Sequence, residues 1–449
     1  MTDTAGGAAP ARTYELKRIL RVRDGMAVTV GIVIGAGILG TPGLIAEYLG
    51  DPWIILGMWV FGGVMAGLST LVLAEMAAAL PEAGGKYVYA RHAWGDTVGF
   101  VAGWSELFVT RGFSGASKAV LIATYVVTLA GNRGSVPILA LTVVIGYFLL
   151  HTRGLETSTT FQNVTTAIKV LILVAIAAAG LFAGNAAGLG TEPIITSGAT
   201  AGLLGYALAY QSISFAYYGW EDAAKMSEEV VDPGRALPKI LLGGALAVMI
   251  LYMMINVSFL VALTPAEMSG SSLVAADVIA SVFGSSAGTL VIIASLAILI
   301  SSANVNFLGL PRVAYGLARH GLAPSAFTRV DARGTPRNAL IFISAWIGLL
   351  ALTGAFEDLI RFMMTTAISV DTIVLLGYFR LRQARPDLER PFRMPGHPVL
   401  PAVTILLYVA ILAIIVWTQP VLAGGAGAML AALFIAGFIT SSRRKRAAH

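Results

Sequence analysis

The sequence predicts an all-α membrane protein of twelve transmembrane helices. Three observations lead there: composition, recurrent apolar runs about one bilayer long, and basic residues gathered at the ends of those runs. Of 449 residues, 57% are hydrophobic and only 12% charged, against about a quarter charged in a soluble domain. A single soluble core cannot hide that much apolar side chain.

Runs of roughly 20 apolar residues, enough to cross about 30 Å of hydrocarbon, fall at 24–49, 53–80, 97–130, 134–150, 158–183, 200–228, 236–263, 285–318, 337–353, 357–382, 399–418 and 422–441. An even number of crossings puts both termini on one side, and the bias of lysine and arginine toward the cytoplasm selects it. With the N-terminus inside, 25 of the 30 basic residues lie in predicted inner segments. They include Arg18, Arg21 and Arg23 before the first span and Arg443, Arg444, Lys445 and Arg446 after the last. Only Arg133 and Arg361 fall outside, while Arg111, Lys118 and Lys169 fall within spans. The net charge of +6 thus reports orientation in a lipid bilayer; no basic patch suggests nucleic acid. A bacterial-type inner membrane is the expected location.

Residues 1–23 are polar and basic and the first apolar run is too long for a signal core, so no cleavable signal is expected. Cysteine is absent. That removes disulfides, thiolate metal sites and a disulfide-linked heavy chain, and no metal or cofactor is expected.

Two spans carry helix breakers. The first reads MAVTVGIVIGAGILGTPGLIAEYLG, with Gly31, Gly35, Gly37, Gly40, Pro42 and Gly43 inside it, a composition that opposes a continuous helix. Unwinding is expected around Gly35 and Gly37. The sixth contains SFAYYGWEDAAKMSEEVVDPG, where aromatics and Gly219 precede a charged stretch. Irregular backbone in lipid leaves polar groups unpaired at several kcal/mol each, so it persists where it lines a cavity or ligand. Close helix packing through Gly31 and Gly35 is the competing explanation for these glycines. Free amides at 36–39 would attract a carboxylate, and carbonyls at 31–33 and 215–217 an ammonium. A zwitterionic α-amino acid suits both. If spans 1–5 and 6–10 are equivalent halves, the broken helices hold matching positions, the pattern of inverted-repeat carriers.

Charges within spans need a partner or a task. Lys169, inside NVTTAIKVLILVAIAAAG, costs about 3 kcal/mol to insert if left alone; a structural tether and a proton carrier both fit it. Glu106 and Arg111 are five apart, about 140° around an α-helix, so each is expected to find another partner. Asp371 in the tenth span is either a pathway or proton-handling acid or a buried, hydrogen-bonded one. Glu221, just past the second break, is a second candidate pathway acid. Simple salt bridging is expected of Glu75, Glu228 and Glu229, and anchoring or gating of Arg312, Arg319 and His320.

Several segments, in order, carry a family likeness: GIVIGAGILGTPG, LAEMAAALPEAGGKYVYAR, WSELFVTR, TTAIK, FAYYGWEDAAKMSEEVVDPGRALPKI, SANVNFLGLPRVAYGLARHGLAP and RPDLERPFRMPGHP. Through them the chain resembles the amino acid–polyamine–organocation superfamily, and within it the L-type amino acid transporters. The resemblance implies a LeuT-type fold with a 5+5 inverted repeat and unwound helices 1 and 6. Residues 24–183 and 200–382 would be the repeats, 399–441 the last two helices, and 1–23 and 442–449 cytoplasmic tails. It also implies a substrate site at Ile34, Gly35, Ala36, Gly37, Ile38, Phe215, Ala216, Tyr218 and Gly219, with Phe215 as the gate. Lys169 would replace a sodium ion, bridging span 1 to span 8 near Ser301 and Ser302, which implies sodium-independent alternating access. Amino acid exchange and proton-coupled symport both remain compatible with Lys169. Tyr218 replaces a glycine typical of L-type members, either narrowing the pocket or packing elsewhere.

Other classes fit poorly. The five histidines are expected in loops, span ends or the tail, and with no cysteine and no HExxH pattern, intramembrane thiolate or imidazole chemistry has no residues to use. A channel would favour a symmetric oligomeric pore, and no nucleotide-binding loop is present to drive a pump.

Overall fold

The computed structural model describes residues 20–82, 84–152, 155–183, 188–190, 202–331 and 335–447. The expected N-terminal tail lies almost wholly outside these residues. Among them, eight helices are long and apolar enough to cross a membrane, and four further apolar helices have 10–17 residues.

The first apolar run forms three helices, α1 (Val22–Val33), α2 (Ala36–Gly40) and α3 (Pro42–Leu49). The break at Ile34 and Gly35 falls at the start of the expected interval, and a second, at Thr41, precedes Pro42, whose ring costs least in a first helical turn. α4 (Pro52–Ala79) begins where the Asp51 carboxylate accepts from the amides of Trp53 (2.8 Å) and Ile54 (2.9 Å), a side-chain cap for otherwise unpaired donors. A helix that the apolar pattern does not predict, α5 (Lys86–Trp94), then leads into α6 (Asp96–Leu129).

α7 (Val136–His151) and α8 (Leu155–Ala183) follow, then α9 (Leu203–Tyr217). α9 stops at Tyr218 and Gly219, the latter at φ 115°, backbone open to glycine at little cost. The charged stretch beyond it, Trp220–Glu229, is a 3-10 helix rather than a continued α-helix. α10 (Pro233–Ala262), α11 (Val274–Phe283), α12 (Ser285–Arg319), α13 (Arg337–Ala351), α14 (Phe356–Ala384), α15 (Val399–Thr418) and α16 (Pro420–Ala447) complete the helices that matter here. α11, like α5, was not signalled by a bilayer-length run.

The helices pack around α2, α9 and α12, with α10 against α4, α1 and α8. The buried set includes Trp59, Tyr89, Tyr125, Tyr252 and Tyr378. Side chains on the outer helices point the other way: Phe182, Trp417, Val421 and Ile435 are largely exposed. Apolar residues standing outward over many helices suit a hydrocarbon solvent better than water. The structure is that of a multi-pass membrane protein.

Candidate functional site

α2 and α9 approach so closely at Gly37 that a Cβ there would lie 2.2 Å from Ala216 Cα. Contact with backbone cannot be relieved by a rotamer change, so glycine is required at this crossing. The two helix breaks are thereby held side by side. Their carbonyls share one donor, Tyr252 of α10, whose hydroxyl lies 3.1 Å from Val33 O and 3.2 Å from Ala216 O. Buried carbonyls released from a helix need such a partner.

A cavity opens at this junction. Its walls include Gly35, Ala36 and Gly37 of the first break, Phe215 and Tyr218 of the second, and Ser302 of α12. Six of the expected site residues are thus brought together. Ile34, Ile38 and Ala216 are buried behind them, and Gly219 forms the turn. Phe215 is buried, edge-on to Phe356 with ring centres 6.3 Å apart. Tyr218 does reach the cavity, and its hydroxyl also accepts from Lys86 Nζ at 3.2 Å.

α6 contributes wall residues that sequence reasoning missed: Thr110, Arg111, Ser114 and Lys118, joined by Met363 of α14. Arg111, Ser114 and Lys118 follow a spacing of three and four, one face of a helix, and that periodicity was the signal available. Lys118 is buried and donates to Ser302 O at 3.3 Å. Its charged neighbours are two cations, Arg111 and Lys169.

Lys169 is fully buried and donates to the carbonyls of Ile34 (3.2 Å) and Gly31. It therefore joins α8 to the first break. On α12, Ser302 Oγ makes no hydrogen bond among the described residues, and the lysine bonded to the Ser302 carbonyl is Lys118. Ser301 is buried on the same helix.

Glu106 and Arg111 correct an expectation. Residues Glu106–Arg111 form a π-helical turn, whose wider winding pairs i with i+5, so Arg111 Nε lies 3.4 Å from Glu106 Oε1. The two do contact each other. Each also has a second partner: Arg111 binds Asp222, and Lys225 binds both Glu106 and Asp222, the latter at 2.7 Å. The result is a closed quartet of two cations and two carboxylates.

Beside it, Lys86 Nζ lies 3.1 Å from Glu221 Oε1 and 2.7 Å from Asp371 Oδ1. The two candidate pathway acids, from distant parts of the chain, thus share one lysine. Glu75 behaves as expected, pairing with Arg382 at 2.7 Å. The side chains of Glu228, Glu229 and Arg312 lie outside the described set. Arg319 rests over Tyr315, 5.9 Å from its ring centre, and His320 Nδ1 contacts Gly316 O at 2.9 Å. One histidine departs from expectation: His151, at the end of α7, is buried, stacked on Phe307 and 2.9 Å from Asn304 Oδ1. Apolar neighbours on α12 enclose the last turn of α7, which a span-end position did not reveal. Among the described residues no cluster of His, Cys, Asp or Glu is arranged to hold a metal ion.

A many-spanned helical protein with a polar cavity at two broken helices belongs to the class of membrane permeases. The pattern of the amino acid permease family matches residues 23–439, and the chain belongs to that family, within the amino acid–polyamine–organocation superfamily and similar to its L-type members. It is 26% identical over 438 residues to the large neutral amino acids transporter small subunit 2 of Rattus norvegicus, covering 94% of this chain and 79% of that one. To the Asc-type amino acid transporter 1 of Homo sapiens it is 25% identical, covering 91% and 79%. To the serine/threonine exchanger SteT of Bacillus subtilis it is 24% identical, covering 87% and 89%. The family is one of amino acid transporters, not enzymes.

Proposed function

We propose that this chain is a sodium-independent secondary transporter of small to medium neutral L-amino acids, working by alternating access and exchanging one amino acid for another. The observation that carries this reading is the cavity at Gly35, Ala36, Gly37, Phe215 and Tyr218, where backbone freed from two helices faces a common space. Unwound amides near Gly35 and Gly37 would receive the substrate carboxylate, and carbonyls of the two breaks its ammonium. Phe215 would close the site from outside. The names of the relatives, which mention large neutral amino acids and serine/threonine exchange, favour neutral cargo.

In this reading the chain has the LeuT-type arrangement of twelve spans, with 24–183 and 200–382 as inverted repeats and both termini cytoplasmic, in a bacterial-type inner membrane. Sodium independence follows from Lys169. Its ammonium already supplies a positive charge to the Gly31 and Ile34 carbonyls, so a cation placed there would face like charge at contact distance. A proton-coupled symport is the second reading, favoured by the two carboxylates around Lys86.

The test uses purified protein in sealed proteoliposomes. Uptake of a labelled neutral amino acid should be unchanged when potassium replaces sodium and should accelerate when the lumen holds unlabelled amino acid. A sodium requirement would sink the role given to Lys169. Failure of luminal amino acid to accelerate uptake would remove exchange.

A further inference from the structure

The charges buried between the cavity and the predicted inner side do not balance. The quartet of Glu106, Arg111, Asp222 and Lys225 is neutral, and each of its cations contacts both of its acids. The neighbouring triad is not neutral: Glu221 and Asp371 carry two negative charges and Lys86 one positive. Arg111 and Lys225 also stand within electrostatic range of Glu221, but both are already committed to the quartet. Lys118, the next cation, has Arg111 and Lys169 for charged neighbours and bonds to neither acid.

Burial makes this surplus costly. The side chains of Lys86 and Glu221 are 7% and 4% exposed and that of Asp371 13%, and an uncompensated carboxylate in such surroundings is strongly disfavoured. Hydrogen bonding does not absorb it either. Glu221 Oε2 is buried without a hydrogen-bond partner among the described residues, and Asp371 Oδ1 has the single Lys86 ammonium, which it shares with Glu221, at 2.7 Å. The groups facing Asp371 are Lys86 from α5, Glu221 from the 3-10 helix, Glu106 from α6, Tyr218 from the second break, Tyr210 from α9 and Tyr408 from α15. The phenols and Lys86 are donors; neither acid has a second cation to itself. Lys86 lies outside the spans. Burial works against its ammonium, but the Asp371 and Glu221 carboxylates outweigh burial and hold its pKa above the ordinary lysine value. The group left to change charge is therefore a carboxyl.

We propose that Glu221 and Asp371, bridged by Lys86, form a proton-binding site that takes up one proton for both acids and couples its movement to that of the amino acid. Tyr218 links the two sites, lining the cavity while its hydroxyl accepts from Lys86 at 3.2 Å. With a proton bound the triad is neutral and can remain enclosed. When it opens to the inner side, water solvates both carboxylates and the proton leaves. Substrate that disturbs Tyr218 disturbs Lys86, and through it the balance between the acids. The inference rests on the chain being an amino acid transporter that exchanges, adds to that exchange a net uptake driven by protons, and assigns the coupling to a site other than Lys169.

The test separates exchange from uphill uptake in proteoliposomes. With amino acid inside and out at equal pH, counterflow of label measures exchange; its absence in the unaltered protein would strike the transporter reading instead. With no luminal amino acid and the outside more acidic, net accumulation measures coupling. One proton per substrate offers about 1.4 kcal/mol per pH unit, about tenfold in concentration, and a protonophore should abolish it. In Asp371→Asn, and in Glu221→Gln, the ratio of driven uptake to exchange should fall at least tenfold. The proposal is overturned if the unaltered protein exchanges but ignores the pH gradient. It is equally overturned if both variants and their combination keep the driven-to-exchange ratio. Should Asp371→Asn fail to fold, Glu221→Gln and the unaltered protein still decide.

Discussion

Tyr252 and Val33 are joined by a hydrogen bond of 3.1 Å, from the hydroxyl of one helix to the carbonyl where another ends. The same hydroxyl lies 3.2 Å from Ala216 O at the second break, so a single proton is shared between the two unwound segments. Tyr252→Phe removes that proton and keeps the ring packed on Trp59 and Tyr217. Leaving buried acceptors unpaired costs about 1–3 kcal/mol. The variant should unfold at a lower temperature in detergent and transport more slowly; an unchanged midpoint with unchanged transport would remove Tyr252 from the architecture of the breaks.

Lys169→Ala should abolish transport while the protein still folds into the membrane. The variant frees the carbonyls of Gly31 and Ile34, loosening the first break without touching the cavity wall. Folding is checked by monodispersity in detergent, and transport by counterflow. Flux within twofold of normal would make Lys169 a spectator. Adding sodium to the variant provides a further check, since sodium-stimulated flux would show that the vacated space can accept the ion.

The long apolar runs made the helices legible, because nothing but hydrocarbon asks for so many of them. The breaks were legible too, since Gly35, Pro42 and Gly219 all oppose a helix running continuously through them. Less visible was anything depending on how the chain winds locally. A spacing of five placed Glu106 and Arg111 on different helix faces, yet the π-helical turn brings them together. Pairings across the fold carried no local signal at all: Lys86, Glu221 and Asp371 come from three distant segments. Gly37 illustrates a different limit. Its proposed place beside the substrate carboxylate cannot be tested by Gly37→Val, because even a methyl group would collide with the Ala216 backbone. Loss of transport there would report packing.

Lys118 should make the cavity hostile to cationic amino acids. It lines the wall with Arg111, and two like charges about 6 Å apart repel by roughly 3 kcal/mol at an effective dielectric of 20. While Lys118 carries its proton, lysine and arginine should compete for uptake at least tenfold less well than a neutral amino acid of similar length. In Lys118→Gln the gap should narrow by about tenfold. Equal competition by cationic and neutral amino acids in the unaltered protein would show that Lys118 does not face the bound substrate.

Glu75 holds together the ends of two helices and the loop beyond them. Arg382 of α14 reaches it with two hydrogen bonds, 2.8 Å from Nε and 2.7 Å from Nη2, and the Met394 amide donates to it at 2.7 Å. Arg390 adds a contact of 3.5 Å. Glu75 is 2% exposed, so these donors, with the Tyr378 hydroxyl at 3.3 Å, stand where water would surround an exposed carboxylate. Glu75→Ala leaves Arg382 without its carboxylate and the Met394 amide without an acceptor. Breaking one side of a buried pair costs about 3–5 kcal/mol, so the variant should express poorly or melt well below the unaltered protein. Glu75→Gln keeps one acceptor oxygen and the shape, and should lose less. If the two variants melted alike, the charge itself would matter more than the hydrogen bonds. If neither changed the melting temperature, the cluster would contribute nothing to holding α4 against α14.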